Sequence, residues 1–296
     1  MYTIFSCTKD FNSLFGIIQR NAINSWLKLS PKPNIILFGI EDESIKKEFK
    51  DKNITFLPIK DCNEYGTPFV NKIFESAIKN SSTDALCYVN SDIILFNNFP
   101  KTIKNLITQK KYFGVGRRHN VEIQEILDFN NQEQIYNYYL SNSNLDSYTG
   151  SDYFIFNKYT IKNIPSFLIG RTCWDNWLMY YAATNKLNLT DCSNSIKCIH
   201  QKHDYSHIKT NKDNHYKGIE REYNFKQLGG IDKIYDVRDC DFLFENDIVK
   251  KNYSIKSILV RFLRKSKILL LKEKLHIKIT SIKKFYLKYF YKSHKI

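Results

Sequence analysis

The sequence predicts an α/β fold: a mainly parallel central sheet flanked by helices, followed by a basic helical tail at the C terminus. Three observations carry this expectation. Through the first hundred residues, short apolar β-rich runs alternate with amphipathic helical periods, the pattern of βαβ units. The apolar run at residues 85–89 stops abruptly at Asn90-Ser91-Asp92, and in open α/β sheets an acid just beyond a strand's carboxyl end faces the ligand crevice. The positive charge is confined to the end of the chain. Residues 250–296 hold fifteen Lys or Arg against the single acid Glu273, which is +14 of the total +15.

Residues 3–7 read as a short strand. Leu14, Ile18, Ala22, Trp26 and Leu29 then recur at helical spacing. Pro31 and Pro33 end that helix, and residues 34–39 form a second buried strand. A short polar helix around residues 44–50 leads to a third strand at 54–57. Gly66-Thr67-Pro68 has the order of turn, N-cap and first helical residue, and Phe69, Val70, Phe74, Ala77 and Ile78 fit one face of the helix that follows. The strand at 84–89 comes next. Beyond Asn98 the chain gives another helix and a strand at 112–116, running into Arg117-Arg118. The Asn-, Gln- and Tyr-rich residues 119–147 have no clean period and read as a helix with a flexible loop. Residues 151–156 form a strand and residues 174–184 an aromatic-rich helix. In the tail, Ile255, Ile258, Leu259 and Phe262 share a helical face among Lys and Arg, and Leu275, Ile282, Phe285 and Tyr289 extend it loosely. The expected organisation is a body over residues 1–240, with halves at 1–118 and 119–240, and a basic amphipathic tail over 241–296.

An apolar content of 43% with 15% aromatics is ample for a core and excludes general disorder. The seven cysteines are odd in number, lie in no Cys-x-x-Cys pair, and several sit inside apolar stretches. That usage points to a reducing compartment. The N-terminus lacks a basic n-region and a small-residue cleavage site, and no stretch is long enough without charges to span a bilayer. The expected location is therefore cytoplasmic and peripheral to a membrane. Outside residues 250–296 the net charge is only +1. A nucleic-acid partner is not expected, because such a binder carries its charge on the folded domain.

Strand, helix, strand, helix and then an apolar strand ending in an acid-containing tripeptide resembles the plan of GT-A glycosyltransferases, Rossmann-like nucleotide-diphospho-sugar transferases, here most similar to the family-2 type. In that superfamily a D-x-D tripeptide at this place binds a divalent metal and the donor's diphosphate. Asn90-Ser91-Asp92 keeps the last Asp and has Asn at the first position. The resemblance therefore implies Asp92 as a ligand of Mn²⁺ or Mg²⁺, with Asn90 and Ser91 beside the nucleotide. Asn-Ser-Asp is also good turn chemistry, so a plain strand-end cap is the competing reading. The resemblance covers residues 1–225, with 1–118 as the nucleotide-sugar-binding half and 119–240 as the acceptor half. The loops after the first two strands, with Thr8, Lys9, Gly39 and Asp42, would cradle the nucleoside, a UDP-sugar being the expected donor. Arg117 would hold phosphate oxygens, although adjacent arginines on an extended chain point opposite ways and only one can face a site.

Gly150-Ser-Asp152 and Trp174-Asp-Asn-Trp177 resemble the acceptor half of bacterial enzymes of this type. By that resemblance Asp152, Trp174 and Trp177 line the acceptor pocket and Asp175 is the general base. The competing reading makes Asp175 a helix N-cap. A helix N-terminus lowers its pKa, whereas packing between two indoles raises it. His200-Gln-Lys-His203-Asp-Tyr-Ser-His207 is the densest imidazole cluster. GT-A enzymes often supply a late His as a further metal ligand, and His200 is best placed, then His203, which also stands near the acceptor side. A separate zinc site on His200, His203 and His207, or a surface loop of polar histidines, are the alternatives.

The resemblance thus implies a metal-dependent, inverting transfer of a sugar from a nucleotide-diphosphate sugar to a hydroxyl of a glycan or lipid-linked acceptor, with the tail resting on an anionic membrane surface. Two other readings compete. A sugar-phosphate nucleotidyltransferase would carry a Gly-rich loop after the first strand, and Ser6-Cys7-Thr8-Lys9-Asp10 has no Gly. A non-catalytic basic binding protein for membrane or nucleic acid is disfavoured by the neutral body.

Overall fold

A computed structural model describes residues 1–50, 53–203 and 218–265. The chain runs β1 (Thr3–Cys7), α1 (Ser13–Leu27), β2 (Asn34–Phe38), α2 (Glu43–Glu48), β3 (Ile54–Leu57), α3 (Val70–Asn80), β4 (Ala85–Val89), β5 (Ile93–Ile94), α4 (Asn98–Leu106), β6 (Tyr112–Arg117), β7 (His119–Val121), α5 (Gln132–Ser141), β8 (Ser151–Asn157), α6 (Trp174–Thr184), β9 (Asn188–Asp191), β10 (Ile199–Gln201), α7 (Ile219–Leu228), β11 (Phe242–Glu245), β12 (Ile248–Lys251) and α8 (Ile255–Lys265).

Nine strands form the main sheet in the order β12-β11-β9-β6-β8-β4-β1-β2-β3. The pairs β3-β2, β2-β1, β1-β4, β6-β9 and β9-β11 are parallel. β8 runs antiparallel between β4 and β6, so all strands of this sheet except β8 and the edge strand β12 share one direction. The mainly parallel α/β expectation holds. Strand order reverses beside β1: β2 and β3 lie on one side and β4 on the other. This is a topological switch point, where α/β sheets open their ligand crevice. Both faces are covered, which explains why β1, β2 and β4 read as unbroken apolar runs. On one face Val70, Ile73, Phe74 and Ala77 of α3 pack with Trp174, Leu178 and Met179 of α6. On the other, Ala22, Ile23 and Trp26 of α1 pack with Phe99, Ile103 and Leu106 of α4.

A second sheet has only three short strands, β5-β10-β7. β10 pairs antiparallel with β5 and parallel with β7, setting His200 opposite both Ile93 and Asn120. It stands just beyond the carboxyl end of β4 and builds one wall of the crevice.

Two sequence expectations shift. α3 starts at Val70, not at Pro68, because the backbone at 68–70 is committed elsewhere: Ile169 N donates to Pro68 O at 3.0 Å, and Val70 N to Phe167 O at 2.7 Å. The tail does not begin at residue 241. β11 and β12 form a hairpin, with β11 added parallel to β9, and Phe244 is fully buried. Asn246 and Asp247 at the turn both have positive φ, 52° and 62°, the conformation of a two-residue hairpin loop. The chain divides into Met1–Asn252 and a second unit from Tyr253 onward. Of the second unit only α8 is described as regular structure. Ile255, Ile258, Leu259 and Phe262 fall at i, i+3, i+4 and i+7 on it, and the extension through Tyr289 lies outside the described residues. No helix among the described residues is long and apolar enough to cross a membrane.

Because Phe244 belongs to the core of the body, Phe244→Ala should cost about 3–5 kcal/mol in urea unfolding, the usual penalty for emptying a buried phenylalanine site. A change below about 1 kcal/mol would mean that residues 241–252 belong to the tail after all.

Candidate active site

Asn90, Ser91 and Asp92 make the turn that leaves β4, closed by Ile93 N donating to Asn90 O at 3.1 Å. The tripeptide is therefore a turn, as its composition suggests, and it also aims Asp92 into the crevice. Asp92 Oδ2 lies 3.1 Å from His203 Nε2 and 3.6 Å from His200 Nε2. One ligand atom from each of Asp92, His200 and His203 falls within 4.8 Å of the others. Asp92 Oδ1 is buried without a hydrogen-bond partner. Burial opposes the charge on Asp92, but the two imidazoles outweigh it and hold the carboxyl well below its usual range.

These donors fit a divalent cation. A carboxylate with an unused buried oxygen and two converging imidazole nitrogens bring acceptor atoms together, and only a proton or a metal ion can sit between them. One oxygen and two nitrogens suit a first-row ion such as Mn²⁺ and leave further positions open for substrate oxygens. His207, the third imidazole of the cluster, lies outside the described residues.

Asn90 does not face this cluster. Its Nδ2 donates to Asp152 Oδ1 at 2.6 Å, its Oδ1 accepts from Tyr88 OH at 2.7 Å, and its backbone N donates to Asp152 O at 3.0 Å. Antiparallel pairing of β8 with β4 causes this, because it sets the start of β8 beside the end of β4. The other Asp152 oxygen pairs with Arg118, whose Nε donates to Asp146 Oδ2 at 3.1 Å. Burial works against the Arg118 charge, yet Asp152 and Asp146 keep it firmly protonated. Gly150 is needed here: a Cβ on it would stand 2.5 Å from Asp146 Oδ2.

Asp175 is in the first turn of α6 and is not its cap; the cap position is Cys173, at φ 89°. One Asp175 oxygen is enclosed and unpartnered. Of the two opposing effects, burial wins: it raises the carboxyl to about 6, aided by the charge on Asp152, against hydrogen bonding from the Asn176 backbone and the Arg118 charge. A carboxyl near 6 is poised for proton transfer at neutral pH.

The other sequence candidates separate. Lys9 extends over the Phe15 ring at 4.5 Å, and that ring lies 5.1 Å from the His203 ring, so Lys9 borders the cluster. Thr8 spends its hydroxyl on Phe38 O at 2.8 Å. Gly39 has φ +93°, and a Cβ there would meet Ile59 at 2.8 Å and Thr8 O at 3.3 Å, so this crevice wall requires glycine. Asp42 caps α2 by accepting from Ser44 N at 2.7 Å and is not drawn into the cluster. Arg117 stacks on Tyr148 at 4.4 Å and donates to Asp146 O at 3.3 Å, so Arg118, and not Arg117, is the arginine tied to the acidic cluster. Trp174 and Trp177 are core side chains, 5% and 8% exposed. Trp174 packs edge-on against Tyr88 and Phe154, and Trp177 packs at a tilt against Phe167 and Tyr181, so the structure does not offer their faces for stacking on a sugar. Asp146 and Asn120 escaped the sequence reading. They lie in the 119–147 segment, which has no period, and only their polarity marks them.

No family model matches the sequence, and no curated protein matches it. Solved structures are similar in fold. TarS residues 1–349 from S. aureus, in complex with UDP-GlcNAc, is similar at TM-score 0.47 and 12% identity, over 70% of this chain and 60% of that one. The mannosyltransferase PcManGT from Pyrobaculum calidifontis, with GDP-Man and Mn²⁺, is similar at TM-score 0.44 and 9% identity, over 73% and 58%. GalNAc-T7 with UDP, GalNAc and Mn²⁺ has a TM-score of 0.51 at 9% identity, over 77% of this chain and 48% of that one. The chain spans about three fifths of the TarS fragment and half of GalNAc-T7. At such identities the likeness is one of fold. Strand order, switch point and the likeness to GalNAc-T7 together give the chain a GT-A-like α/β fold.

Proposed function

We propose that this protein is a metal-dependent glycosyltransferase that moves a sugar from a nucleotide-diphosphate sugar, foremost a UDP-sugar, to an acceptor hydroxyl with inversion, in glycan or glycolipid synthesis. The observation that carries this reading is the meeting of Asp92, His200 and His203 beyond β4, with the raised carboxyl of Asp175 in the same acidic cluster. Asp92, His200 and His203 hold the ion. When bound, Mn²⁺ or Mg²⁺ supplies charge stabilisation for the departing diphosphate. The nucleoside lies over the carboxyl ends of β1 and β2, beside Thr8, Lys9 and Gly39, and Ser91 borders the diphosphate. Asp175 takes the proton of the acceptor hydroxyl as that oxygen attacks the anomeric carbon. Asp152, fixed by Asn90 and Arg118, stands on the acceptor side and raises the basicity of Asp175 through its charge.

The tail fits peripheral attachment to a membrane that carries a lipid-linked acceptor. The α8 face is apolar at helical spacing, and residues 250–296 carry +14. Each basic residue near an anionic leaflet contributes about 1 kcal/mol.

Three measurements test this reading. In Asp92→Ala, titration should lose Mn²⁺ binding and Mn²⁺-dependent UDP binding while the fold persists; retained metal affinity would leave Asp92 as a strand-end turn residue.

Asp175→Asn should lower transfer by orders of magnitude with donor affinity nearly unchanged, and wild-type kcat should rise with pH through about 6 as Asp175 ionises. The same variant should be more stable. The folded carboxyl titrates above its unfolded value, so stability is full below the unfolded pKa and is lost as pH rises to about 6. At about 1.4 kcal/mol per pKa unit, metal-free Asp175→Asn gains on the order of 3 kcal/mol above pH 6. Normal turnover would remove Asp175 from the chemistry.

Deleting residues 253–296, which spares β12, should abolish sedimentation with phosphatidylserine vesicles and leave donor hydrolysis intact. A full-length protein that ignores such vesicles at physiological salt refutes the membrane role.

A further inference from the structure

His200 has a second side, turned away from Asp92. Its Nδ1 lies 2.9 Å from Asn120 Oδ1, a contact set by the β10–β7 register that makes the two residues partners. The Asn120 side chain also hydrogen-bonds the Asp146 carboxylate. An ionised carboxylate only accepts, so Asn120 must give it the NH₂ group. Its Oδ1, an acceptor, then faces His200, and Nδ1 must carry the ring proton. In a neutral imidazole that places the lone pair on Nε2, the nitrogen aimed at Asp92.

Asp146 is in turn immobilised. It accepts from Arg118 Nε at 3.1 Å and from Ser147 N at 2.7 Å, while Arg118 is anchored on Asp152. Burial opposes the charge on Asp146, but Arg118, Asn120 and the Ser147 backbone hold its carboxyl below the usual range. The chain Arg118–Asp146–Asn120–His200 is thus polarised in one direction, and it leaves His200 Nε2 and Asp92 Oδ2 as two acceptors 3.6 Å apart, a pair that only a proton or a cation can join.

We propose that Asn120 and Asp146 are positioning residues that lock His200 in the Nδ1–H tautomer, so that Nε2 is presented as a ligand to a divalent cation shared with Asp92 and His203. The inference rests on reading those three residues as the metal site. An unlocked ring would spend part of its time with a proton on Nε2, pointed at the cation. Outer partners of metal-bound histidines commonly govern affinity by 10–100-fold.

The test combines nitrogen-15 NMR of the imidazoles in metal-free protein, under alkaline conditions that keep the rings neutral, with Mn²⁺ titration followed by EPR. His200→Ala assigns the His200 signals and checks the underlying site. In the wild type His200 should show a protonated Nδ1 and a bare Nε2. In Asn120→Leu the tautomers should mix and Mn²⁺ affinity should fall 10–100-fold. The exchanged pair Asn120→Asp with Asp146→Asn keeps the charge and the direction of the bonds from Arg118 to His200, losing only the acceptor of Ser147 N: the carboxylate now at position 120 accepts from His200 and from the new amide at position 146, whose oxygen still accepts from Arg118. This pair should restore the tautomer and bring affinity within a few-fold of wild type. A wild-type His200 protonated on Nε2 overturns the proposal. So does unchanged Mn²⁺ affinity in Asn120→Leu while His200→Ala weakens it. If His200→Ala itself leaves Mn²⁺ affinity unchanged, the metal assignment fails, and the inference with it.

Discussion

The Asp92 carboxylate is the group around which the rest of the crevice is arranged. It is half-buried, one enclosed oxygen has no partner, and the other faces two imidazole nitrogens. Leaving a charge in such a place is expensive unless a cation or proton joins it, so the surrounding backbone must be held in position. The Asp92 carbonyl accepts from both the backbone N and the side-chain Nε2 of Gln201, each at 3.2 Å. Gln201 is bonded by Asn21 of α1 at 3.0 Å, and Asn21 also accepts from Leu127 N at 2.9 Å. Both amides are fully buried and satisfied. A saturated buried network of this kind rigidifies what it touches. It explains why three strands of two or three residues persist as a sheet: the β5-β10-β7 sheet is stapled to α1 through side chains.

The antiparallel strand β8 does the complementary work. A sheet with only parallel strands would set the start of a neighbouring strand far from the end of β4. Reversing β8 instead places Ser151 and Asp152 beside Asn90, so residues far apart in sequence share one end of the sheet. The result is a concentration of carboxylates, Asp92, Asp146, Asp152 and Asp175, against one half-buried guanidinium, Arg118. The imbalance is negative, and the charge on Asp152 adds to the burial that pushes the carboxyl of Asp175 up to about 6. A dication at Asp92 would relieve that imbalance without any change of fold.

The sequence made the frame legible because its signals were long or sharp. Apolar runs became β1, β2 and β4, and the aromatic helix at 174–184 starts and stops where its pattern does. Asp92 stood out because an acid directly after an unbroken apolar run marks a strand end, where it is either a turn cap or a ligand. The β5-β10-β7 sheet was not legible, since two or three residues carry no period. Neither were Asn120 and Asp146, whose importance comes from register and pairing. Trp174 and Trp177 misled because an indole serves equally as core or as sugar platform, and only packing decides between them. The tail boundary was set by charge, whereas the hairpin signal was present in Asn246-Asp247 between two β-rich runs. Edge strands rich in lysine, such as β12, blunt further pairing and so resemble a basic tail.

Arg118 joins the two halves of the crevice. Through Asp146 and Asn120 it reaches the imidazole of His200, and through Asp152 it reaches Asn90 at the end of β4. The basicity of Asp175 is raised by Asp152 and lowered by Arg118, so the residue that aligns a metal-ligand candidate also limits the strength of the candidate base. Binding of a cation and removal of a proton are therefore not independent properties here. Residues in one such network do not contribute additively, and substitutions at Arg118, Asp146 or Asp152 act on the crevice as a unit. The crevice is better described as one charged lattice spanning β4, β6, β7, β8 and β10 than as a metal site with a base nearby.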